Sequence, residues 1–500
     1  MPRRPSLIAL GFLVSLALSA LLHRSVFTLD MQGRHNWRQA QTMWNVRNFV
    51  RYDNDITHPR VSHFNGSNNN LLRYEFPIMQ WSIAQVQRAL GEDIWIARTM
   101  VWLIGAFGLL GFYLLLRILA FPAAIALVGT FLLQFSPLFY FYTINILPDN
   151  LALAAGIWYL YFCFAYLRDR RTWQLLGLGS FLLLAALAKL PFAMFGIVGL
   201  VFCLRYIWVS SKSGRVRWQV VGVGLAHLAF LYPAYRWYAM VMPGWKNNPV
   251  VYGIFANAAD TATNWRIFNV QATDIFPYSL LSPAVWLPFA LGVFYTGRRT
   301  AAPFSARPYI WALVFITFLF LALQWNTIGT VHDYYLLPFL PWMYITVTAG
   351  VQRLWQWSKA WTPTLWRWLP LAVVAAILIG APLDAYQLRK RYWEVKFSYG
   401  YEELRDVFTH QAALQAAVDD DAMVIVLNDP SMQIFTWLIR KRGYVFGNNN
   451  LKPAWLDDMR KRGATYLYSS SRYFDEQPGV QERVDSLLLE AGNIRVYRLK

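Results

Sequence analysis

The chain has 500 residues, of which 57% are hydrophobic and only 15% are charged, and its mean hydropathy is positive. Aromatic residues make up 17% of the chain. Soluble domains carry more charge, so this composition indicates a polytopic membrane protein with aromatic residues at the membrane interfaces. The net charge of +19 does not indicate a nucleic-acid partner, because most Lys and Arg residues lie in short clusters between apolar runs.

About eleven apolar segments have the length of a membrane-spanning helix. They cover residues 6–28, 95–116, 122–143, 150–167, 173–189, 191–209, 218–239, 280–297, 309–326, 335–352 and 368–386. The first segment follows Arg3 and Arg4, and we interpret it as a retained span. The alternative is a cleaved signal peptide.

The basic residues predict the orientation of these spans. If Arg3 and Arg4 are cytoplasmic, the even-numbered connections lie on the same side, and these connections contain Arg117 and the arginines of 168–171. The short connections on the other side carry almost no basic residues. We therefore expect a multi-pass protein of the inner (plasma) membrane whose odd-numbered loops and C-terminal segment are periplasmic.

Two domains are predicted, a transmembrane domain over 1–387 and a periplasmic α/β domain over 388–500. The first periplasmic loop, 29–94, contains helical patterns at 37–50 and 77–90 that are typical of helices at a membrane interface. The second long loop, 240–279, shows no clear pattern.

The α/β domain is predicted from strands that alternate with helices, which favours a mostly parallel sheet. The predicted strands are 423–427, 444–446, 464–468 and 494–498, and the predicted helices are 402–418, 430–442, 453–462 and 480–491.

Ionisable residues at the outer ends of the spans are the candidates for chemistry, because charges at membrane depth are costly and tend to be functional. Asp30 ends the first span and could act as a general base, although it could also simply terminate that helix. Asp149 lies in the short loop before the fourth span, where the alternative role is an N-cap.

Further candidates surround a possible anion site. Lys189 follows the fifth span, and His332, Tyr334 and Tyr335 precede the tenth, so that these side chains could contact a phosphate or a sugar. Arg236 is a weaker candidate for the same anion. Snorkelling of the lysine and ordinary interface tyrosines are the alternatives.

The first loop contributes Glu75, His35 and Arg38 as candidates for contacts with the acceptor. A helix-dipole role is the alternative for Glu75. The sequence has no glycine-rich phosphate loop, HExxH motif or nucleophile elbow. We therefore expect no nucleotide donor. The sequence assigns no cofactor, and it leaves open whether a divalent metal ion is bound.

Five short motifs, in this order and on the same predicted side, give the chain a resemblance to the GT-C glycosyltransferases. The motifs are Arg34-His-Asn-Trp-Arg-Gln-Ala-Gln-Thr42, Arg73-Tyr-Glu-Phe-Pro77, Leu147-Pro-Asp-Asn150, Leu187-Ala-Lys-Leu-Pro191 and His332-Asp-Tyr-Tyr-Leu-Leu-Pro338. The branch that the chain resembles contains the dolichyl-phosphate-mannose protein mannosyltransferases and the bacterial aminoarabinose transferases. The chain departs from the pattern where Met31 follows Asp30 and where Phe76 follows Glu75, positions at which relatives often carry Glu and Lys.

This resemblance implies a GT-C type membrane enzyme that takes a sugar from a polyprenyl (undecaprenyl) phosphate. The donor phosphate would lie near Lys189 and His332, and an aspartate, Asp30 or Asp149, would deprotonate the acceptor hydroxyl in an inverting displacement. The expected partners are this lipid-linked donor, membrane lipids, and a lipid, glycan or protein acceptor. An O-antigen ligase or polymerase is the alternative enzyme, and a transporter or flippase of polyprenyl-linked sugars is the alternative without catalysis.

Overall fold

The protein is described from a computed structural model, in which residues 5–64, 69–209, 214–245, 260–296, 306–360, 368–447 and 450–500 are described. Arg3 and Arg4, on which the predicted orientation depends, lie outside the described residues, as does the part 246–259 of the second long loop.

The described residues form mainly helices. In chain order these are α1 (Pro5–Leu22), α2 (Asn36–Arg51), α3 (Ile78–Leu90), α4 (Ile94–Ile118), α5 (Ala123–Gln134), α6 (Pro137–Tyr142), α7 (Asp149–Asp169), α8 (Trp173–Ala188), α9 (Ile197–Val209), α10 (Gly214–Val241), α11 (Thr261–Val270), α12 (Trp286–Thr296), α13 (Arg307–Leu323), α14 (Trp325–Ile328), α15 (Leu340–Ala360), α16 (Trp368–Arg389), α17 (Tyr401–Thr409), α18 (Gln411–Ala416), α19 (Ile434–Ile439), α20 (Trp455–Lys461), α21 (Arg472–Asp475) and α22 (Pro478–Gln481). The strands are β1 (Met423–Leu427), β2 (Arg442–Phe446), β3 (Tyr466–Ser469), β4 (Val484–Ala491) and β5 (Ile494–Leu499).

Each predicted apolar segment coincides with one or two of these helices, which confirms the predicted polytopic helical membrane fold. Over the described part of the chain, three helices combine the length and the hydropathy of a complete span, namely Ile94–Ile118, Asp149–Asp169 and Trp368–Trp393. A fourth candidate is the pair Thr261–Leu280 and Pro283–Phe294, which is bent by 80°. Other segments are divided, because proline has no N–H to continue a helix: α6 starts at Pro137, and the 3-10 helix Leu190–Gly196 contains Pro191.

The chain forms two compact units. The helical unit consists of Met1–Phe27, Tyr74–Phe76 and Arg98–Arg389. Within it, α7 packs on α8 and α12 packs on α15. Glycine permits the second of these contacts, because a Cβ on Gly292 or Gly350 would overlap the carbonyl oxygen of Thr346 or Pro288 on the facing helix. Small residues of this kind allow close helix packing in membranes.

The mixed unit consists of Thr28–Arg73, Pro77–Ala97 and Lys390–Lys500. Most of the first loop, which is predicted to belong to the transmembrane domain, packs here with the C-terminal segment. The predicted helices of the loop are present as α2 and α3, and α2 packs against both α3 and α19.

The sheet of the mixed unit has the order β2-β1-β3-β5-β4. β1 pairs in parallel with β2 and β3, whereas β5 pairs antiparallel with β3 and β4. The sheet is therefore mixed rather than mostly parallel.

The four predicted strands are present, but the helix predicted over 480–491 is wrong, because this segment forms β4. Its run of consecutive leucines resembles a helix, yet only the two residues Gly492 and Asn493 separate it from β5, and a Gly-Asn pair is a signal for a β-hairpin. Gly492 has a φ of 63°, a conformation that glycine adopts without strain.

The first loop also extends this sheet beyond β2. His63 pairs in parallel with Gly443, and the N–H of Phe64 donates to the Gly443 carbonyl at 2.9 Å. The N–H of Gly443 in turn donates to the carbonyl of Ser62 at 3.0 Å. The edge of β2 is thereby covered by chain that lies almost 400 residues earlier in the sequence, a common way to protect an edge strand.

Candidate active site

The centre of the candidate site is an ion pair between two helix ends of the helical unit. Asp149 is the first residue of α7 and is fully buried, while Lys189 follows the last residue of α8 and is 8% exposed. The Lys189 Nζ lies 3.6 Å from the Asp149 Oδ2. The backbone leaves the helical conformation at Lys189 (φ −163°, ψ 113°), two residues before Pro191, which has no N–H to continue α8.

Two tyrosines lie beside this lysine. Tyr334 and Tyr335 belong to the 3-10 helix Asp333–Phe339, which immediately precedes α15. The Lys189 Nζ is 5.7 Å from the ring centroid of Tyr334 and 5.3 Å from that of Tyr335, distances at which an ammonium is attracted to an aromatic ring. The ring of His332 is 5.6 Å from that of Tyr334, and its Nδ1 is 2.8 Å from the Thr327 carbonyl oxygen.

Glu75 reaches the same region through the short segment Tyr74–Phe76. The N–H of Phe76 donates to the carbonyl of Leu187 at 3.0 Å, and the indole N–H of Trp237 donates to the carbonyl of Tyr74 at 3.0 Å. Glu75 itself is 8% exposed.

The phenol of Tyr238 joins these elements. Its hydroxyl donates to the Ala186 carbonyl at 3.0 Å and interacts electrostatically with both Glu75 and Asp149. Two carboxylates, one ammonium and several phenols therefore come together around the end of α8.

Asp333 holds part of this site together, a role that is not predicted from the sequence. Asp333 is buried, accepts a hydrogen bond from the Tyr142 hydroxyl, and has its Oδ2 3.9 Å from the Nη1 of Arg389. These contacts hold the segment that carries Tyr334 and Tyr335. Asp333 lies inside the motif that was singled out, but its partners come from α6 and the end of α16, which no local pattern indicates.

The other predicted aspartate, Asp30, belongs to the mixed unit and has a full set of partners there. Its carboxylate accepts hydrogen bonds from the indole N–H of Trp437 (2.7 Å), from the Gln411 amide (2.9 Å), from Arg440 (3.1 Å) and from the backbone of Met31 (2.8 Å). Burial raises the pKa of this carboxyl, but Arg440 and the hydrogen bonds outweigh burial and hold the pKa below its usual value.

His35 and Arg38 also belong to the mixed unit. His35 precedes α2 with a φ of 61°, and its Nε2 accepts a hydrogen bond from the Nε of Arg34 at 3.2 Å. Arg38 is buried and donates to the side chain of Gln41. In the helical unit, Arg236 is exposed on α10, whereas the next residue, Trp237, is buried.

Among the described residues, no group of three His, Cys, Asp or Glu side chains is arranged to hold a metal ion. The side chains of the candidate site are suited instead to binding an anion with Lys189 and to accepting a proton with a carboxylate.

The part of the chain that carries most of these side chains matches a known protein family. Residues 75–237, which include Glu75, Asp149 and Lys189, match the family model for dolichyl-phosphate-mannose-protein mannosyltransferase. Comparison with curated protein sequences gives no match.

Solved structures match most of the chain in fold. ArnT from Cupriavidus metallidurans bound to undecaprenyl phosphate matches at 13% identity with a TM-score of 0.64, over 99% of this chain and 98% of that chain. The apo form of that protein matches at 12% identity with a TM-score of 0.63. The archaeal oligosaccharyltransferase AglB from Archaeoglobus fulgidus, in complex with an inhibitory peptide and a dolichol-phosphate, matches at 11% identity with a TM-score of 0.59, over 92% of this chain and 69% of that chain.

The chain therefore has the fold of the GT-C glycosyltransferases, which are multi-pass membrane proteins. More narrowly, its similarity to the mannosyltransferase family model lies in the segment that supplies most of the charged groups of the candidate site.

Proposed function

We propose that this protein is a glycosyltransferase that moves a sugar from a polyprenyl phosphate to an acceptor hydroxyl. The observation that carries the proposal is the buried Lys189–Asp149 ion pair beside Tyr334 and Tyr335. It combines a cation for a departing phosphate with a carboxylate for the attacking hydroxyl, and it occurs in a fold whose known members include an undecaprenyl-phosphate-bound transferase. The reaction face is the periplasmic one in this proposal, as the charge pattern of the loops predicts.

Lys189 and the two tyrosines bind the phosphate of the donor. The lysine provides a charge-assisted hydrogen bond, and the phenols provide neutral donors to the same oxygens. Because these groups are buried, their attraction to the negative charge that develops on the leaving group is stronger than in water. The ring of His332 packs edge-on against both tyrosine rings and supports their positions in this proposal.

Asp149 is the base in this proposal. The bond between the anomeric carbon and the phosphate oxygen breaks, and the electron pair leaves with the polyprenyl phosphate. The acceptor oxygen forms a new bond to the opposite face of the anomeric carbon, and its proton passes to the Asp149 carboxylate. A single displacement of this kind inverts the anomeric configuration.

Glu75 binds the sugar or the acceptor hydroxyl in this proposal. It is a second carboxylate that interacts electrostatically with Tyr238, as Asp149 does. The acceptor itself is an envelope lipid, a glycan or a protein hydroxyl in this proposal.

Asp30 has a structural role rather than the role of a base. A general base needs an accessible lone pair, and the four donors around Asp30 occupy its carboxylate oxygens. Its partners Gln411, Trp437 and Arg440 come from the C-terminal segment, so Asp30 connects the start of the first loop to that segment within the mixed unit.

The test is turnover of a defined donor. The purified full chain is supplied with a radiolabelled polyprenyl-phosphate sugar and an envelope extract, and the release of polyprenyl phosphate is measured by thin-layer chromatography. The proposal predicts time-dependent release of polyprenyl phosphate. It also predicts transfer of the labelled sugar to an acceptor, with the anomeric configuration of the sugar inverted relative to the donor. Movement of intact donor across a liposome membrane without cleavage would show a transporter instead.

A further inference from the structure

The mixed unit contains a second group of basic side chains, near the C-terminal end of α2. Arg47 lies in the penultimate turn of that helix and is only 6% exposed. One of its terminal nitrogens is 3.5 Å from the Arg440 carbonyl oxygen, and its guanidinium lies 5.6 Å from the ring of Trp44. Its buried Nε has no hydrogen-bond partner, and neither has the indole N–H of Trp44, which lies one turn earlier.

A second arginine reaches the same end of the helix from the sheet. Arg442 is the first residue of β2, and its guanidinium stacks on the ring of Tyr52 at 3.9 Å, directly after α2. The Nε of Arg442 is also buried without a partner. Arg47 interacts electrostatically with the hydroxyl of Tyr52, so the two guanidinium groups lie near the same phenol.

Three neighbouring basic residues each form an ion pair with a carboxylate. Arg51 pairs with Glu92 at 2.7 Å, Arg440 with Asp30 at 3.1 Å, and Lys441 with Asp420 at 3.0 Å.

No described carboxylate lies within 4.0 Å of Arg47 or Arg442. Burial and the charges of Arg51 and Arg440 lower the pKa of Arg47, and these effects outweigh the opposite effects of Glu92 and Tyr52. A buried cation without an ion pair is expensive, so an anionic partner from outside the chain would relieve this cost.

We propose that Arg47, Arg442 and the indole of Trp44 form a binding site for a phosphate group. Three buried donors without acceptors, two of them cationic, match the acceptor-only oxygens of a phosphate, and arginine forks are suited to such oxygens. Arg442 is only partly buried, so the site can be reached from solvent beside Tyr52. The phosphate belongs either to a free anion or to the headgroup of a lipid.

The experiment measures phosphate binding by the full chain in a phosphate-free detergent buffer. The Lys189→Met substitution is present throughout, so that binding at the candidate active site is weakened equally in every sample and the two proposals are tested separately. Inorganic phosphate is titrated by calorimetry, and a fluorescent phosphatidic acid is titrated against phosphatidylcholine as the uncharged comparison. The variants are Arg47→Gln and Arg442→Gln. Arg51→Gln is the matched control, because it removes the same charge from the same helix but breaks an exposed pair with Glu92.

We expect Arg47→Gln and Arg442→Gln to raise the dissociation constant by about tenfold or more, the effect of one lost charge-assisted hydrogen bond, and Arg51→Gln to change it less than about twofold. Loss of inorganic phosphate binding identifies a free anion as the ligand, and loss confined to phosphatidic acid identifies a lipid headgroup. Binding of neither probe, or equal effects of all three substitutions, overturns the proposal and leaves Arg47 as a cap on the carbonyl end of α19. If Arg47→Gln does not fold, the variant Arg442→Gln tests the proposal in its place, because the side chain of Arg442 is partly exposed.

Discussion

The ammonium of Lys189 lies 3.6 Å from the carboxylate of Asp149, and both groups are buried at the ends of helices in the helical unit. The two residues are the C-terminal boundary of α8 and the N-terminal residue of α7, which pack against each other. An ion pair buried in this way is weak evidence for stability, because desolvation offsets most of the attraction. In the proposed function, the reaction uses both charges of this pair.

Replacing Lys189 tests its role in binding the donor. Lys189→Met should weaken binding of the polyprenyl-phosphate donor by about tenfold to a hundredfold, because a hydrogen bond to a charged group contributes roughly 1.5–3 kcal/mol. The measurement is the KM for the donor, together with a binding titration of polyprenyl phosphate.

The double variant Lys189→Met/Asp149→Asn shows whether the weaker donor binding of Lys189→Met results from a loss of stability. It removes the charge that Lys189→Met leaves unpaired, so its thermal stability should recover while donor binding stays weak. Lys359→Met, at the far end of α15, is the matched control and should leave the KM unchanged. A normal KM in Lys189→Met would contradict the assigned role.

Breaking the Asp333–Arg389 pair should destabilise the helical unit. Asp333→Asn leaves the Arg389 guanidinium, which is 2% exposed, without its carboxylate, and loss of one partner of a buried pair costs about 3–5 kcal/mol. Thermal unfolding of the protein in detergent measures this change.

A second substitution, in Arg389, tests whether the lost stability is due to the unpaired charge. The double variant Asp333→Asn/Arg389→Met should recover part of the lost stability, because no uncompensated charge is left. If Asp333→Asn unfolds at the wild-type temperature, the pair does not hold the segment of Tyr334 and Tyr335.

Asp30 should make the mixed unit sensitive to acid. Because the folded-state pKa of Asp30 is below the unfolded value, its contribution to stability is complete above the unfolded pKa of about 3.9 and is lost as the pH falls through the folded-state value. Asp30→Asn should therefore lower stability near neutral pH and reduce the dependence on pH below about 4. Protease resistance of the C-terminal segment between pH 3 and 7 measures this, with the exposed Asp419→Asn as the control. Equal acid sensitivity of Asp30→Asn and wild type would show that other carboxyls are responsible.

The hairpin of β4 and β5 should depend on Gly492. Gly492→Ala should destabilise the mixed unit by about 1–2 kcal/mol, because its φ of 63° disfavours a residue with a Cβ. The new Cβ would also lie 2.6 Å from the Asp406 carboxylate, which accepts the Asn493 N–H.

Gly492→Asn isolates the backbone contribution. It adds the same Cβ but tolerates the left-handed conformation better, so its loss of stability should be smaller than that of Gly492→Ala. Chemical denaturation followed by protease resistance of the C-terminal segment compares the two variants. Equal losses would mean that the contact with Asp406, rather than the backbone conformation, determines the cost.

Much of the helical unit could be predicted, because a spanning helix leaves a local signal of length and apolarity. The candidate residues Asp149, Lys189, Tyr334 and Tyr335 were all found in the same way, as polar groups at the outer ends of such segments. The structure brings these four together, while their roles stay a prediction.

The features of the structure that the sequence does not predict depend on partners far away along the chain. Asp30 marks a boundary between apolar and polar sequence, which is equally consistent with a base and with a structural carboxylate. Its partners Trp437 and Arg440 lie some 400 residues later in the chain, and the structural role that we propose for Asp30 rests on them. The helix prediction for the segment of β4 was wrong for a similar reason. Its leucines fit a helical pattern, and only the pairing with β5 makes the segment a strand.

The most direct measurement compares the turnover of Asp149→Asn and Asp30→Asn with that of the wild type, per folded molecule, using a defined polyprenyl-phosphate sugar. Asp169→Asn, at the other end of α7, is the control. We predict that Asp149→Asn lowers kcat by about a hundredfold or more, the usual contribution of a general base, and that Asp30→Asn and Asp169→Asn stay near the wild-type value. Full turnover by Asp149→Asn, or a comparable loss in folded Asp30→Asn, would contradict the assignment of Asp149 as the base.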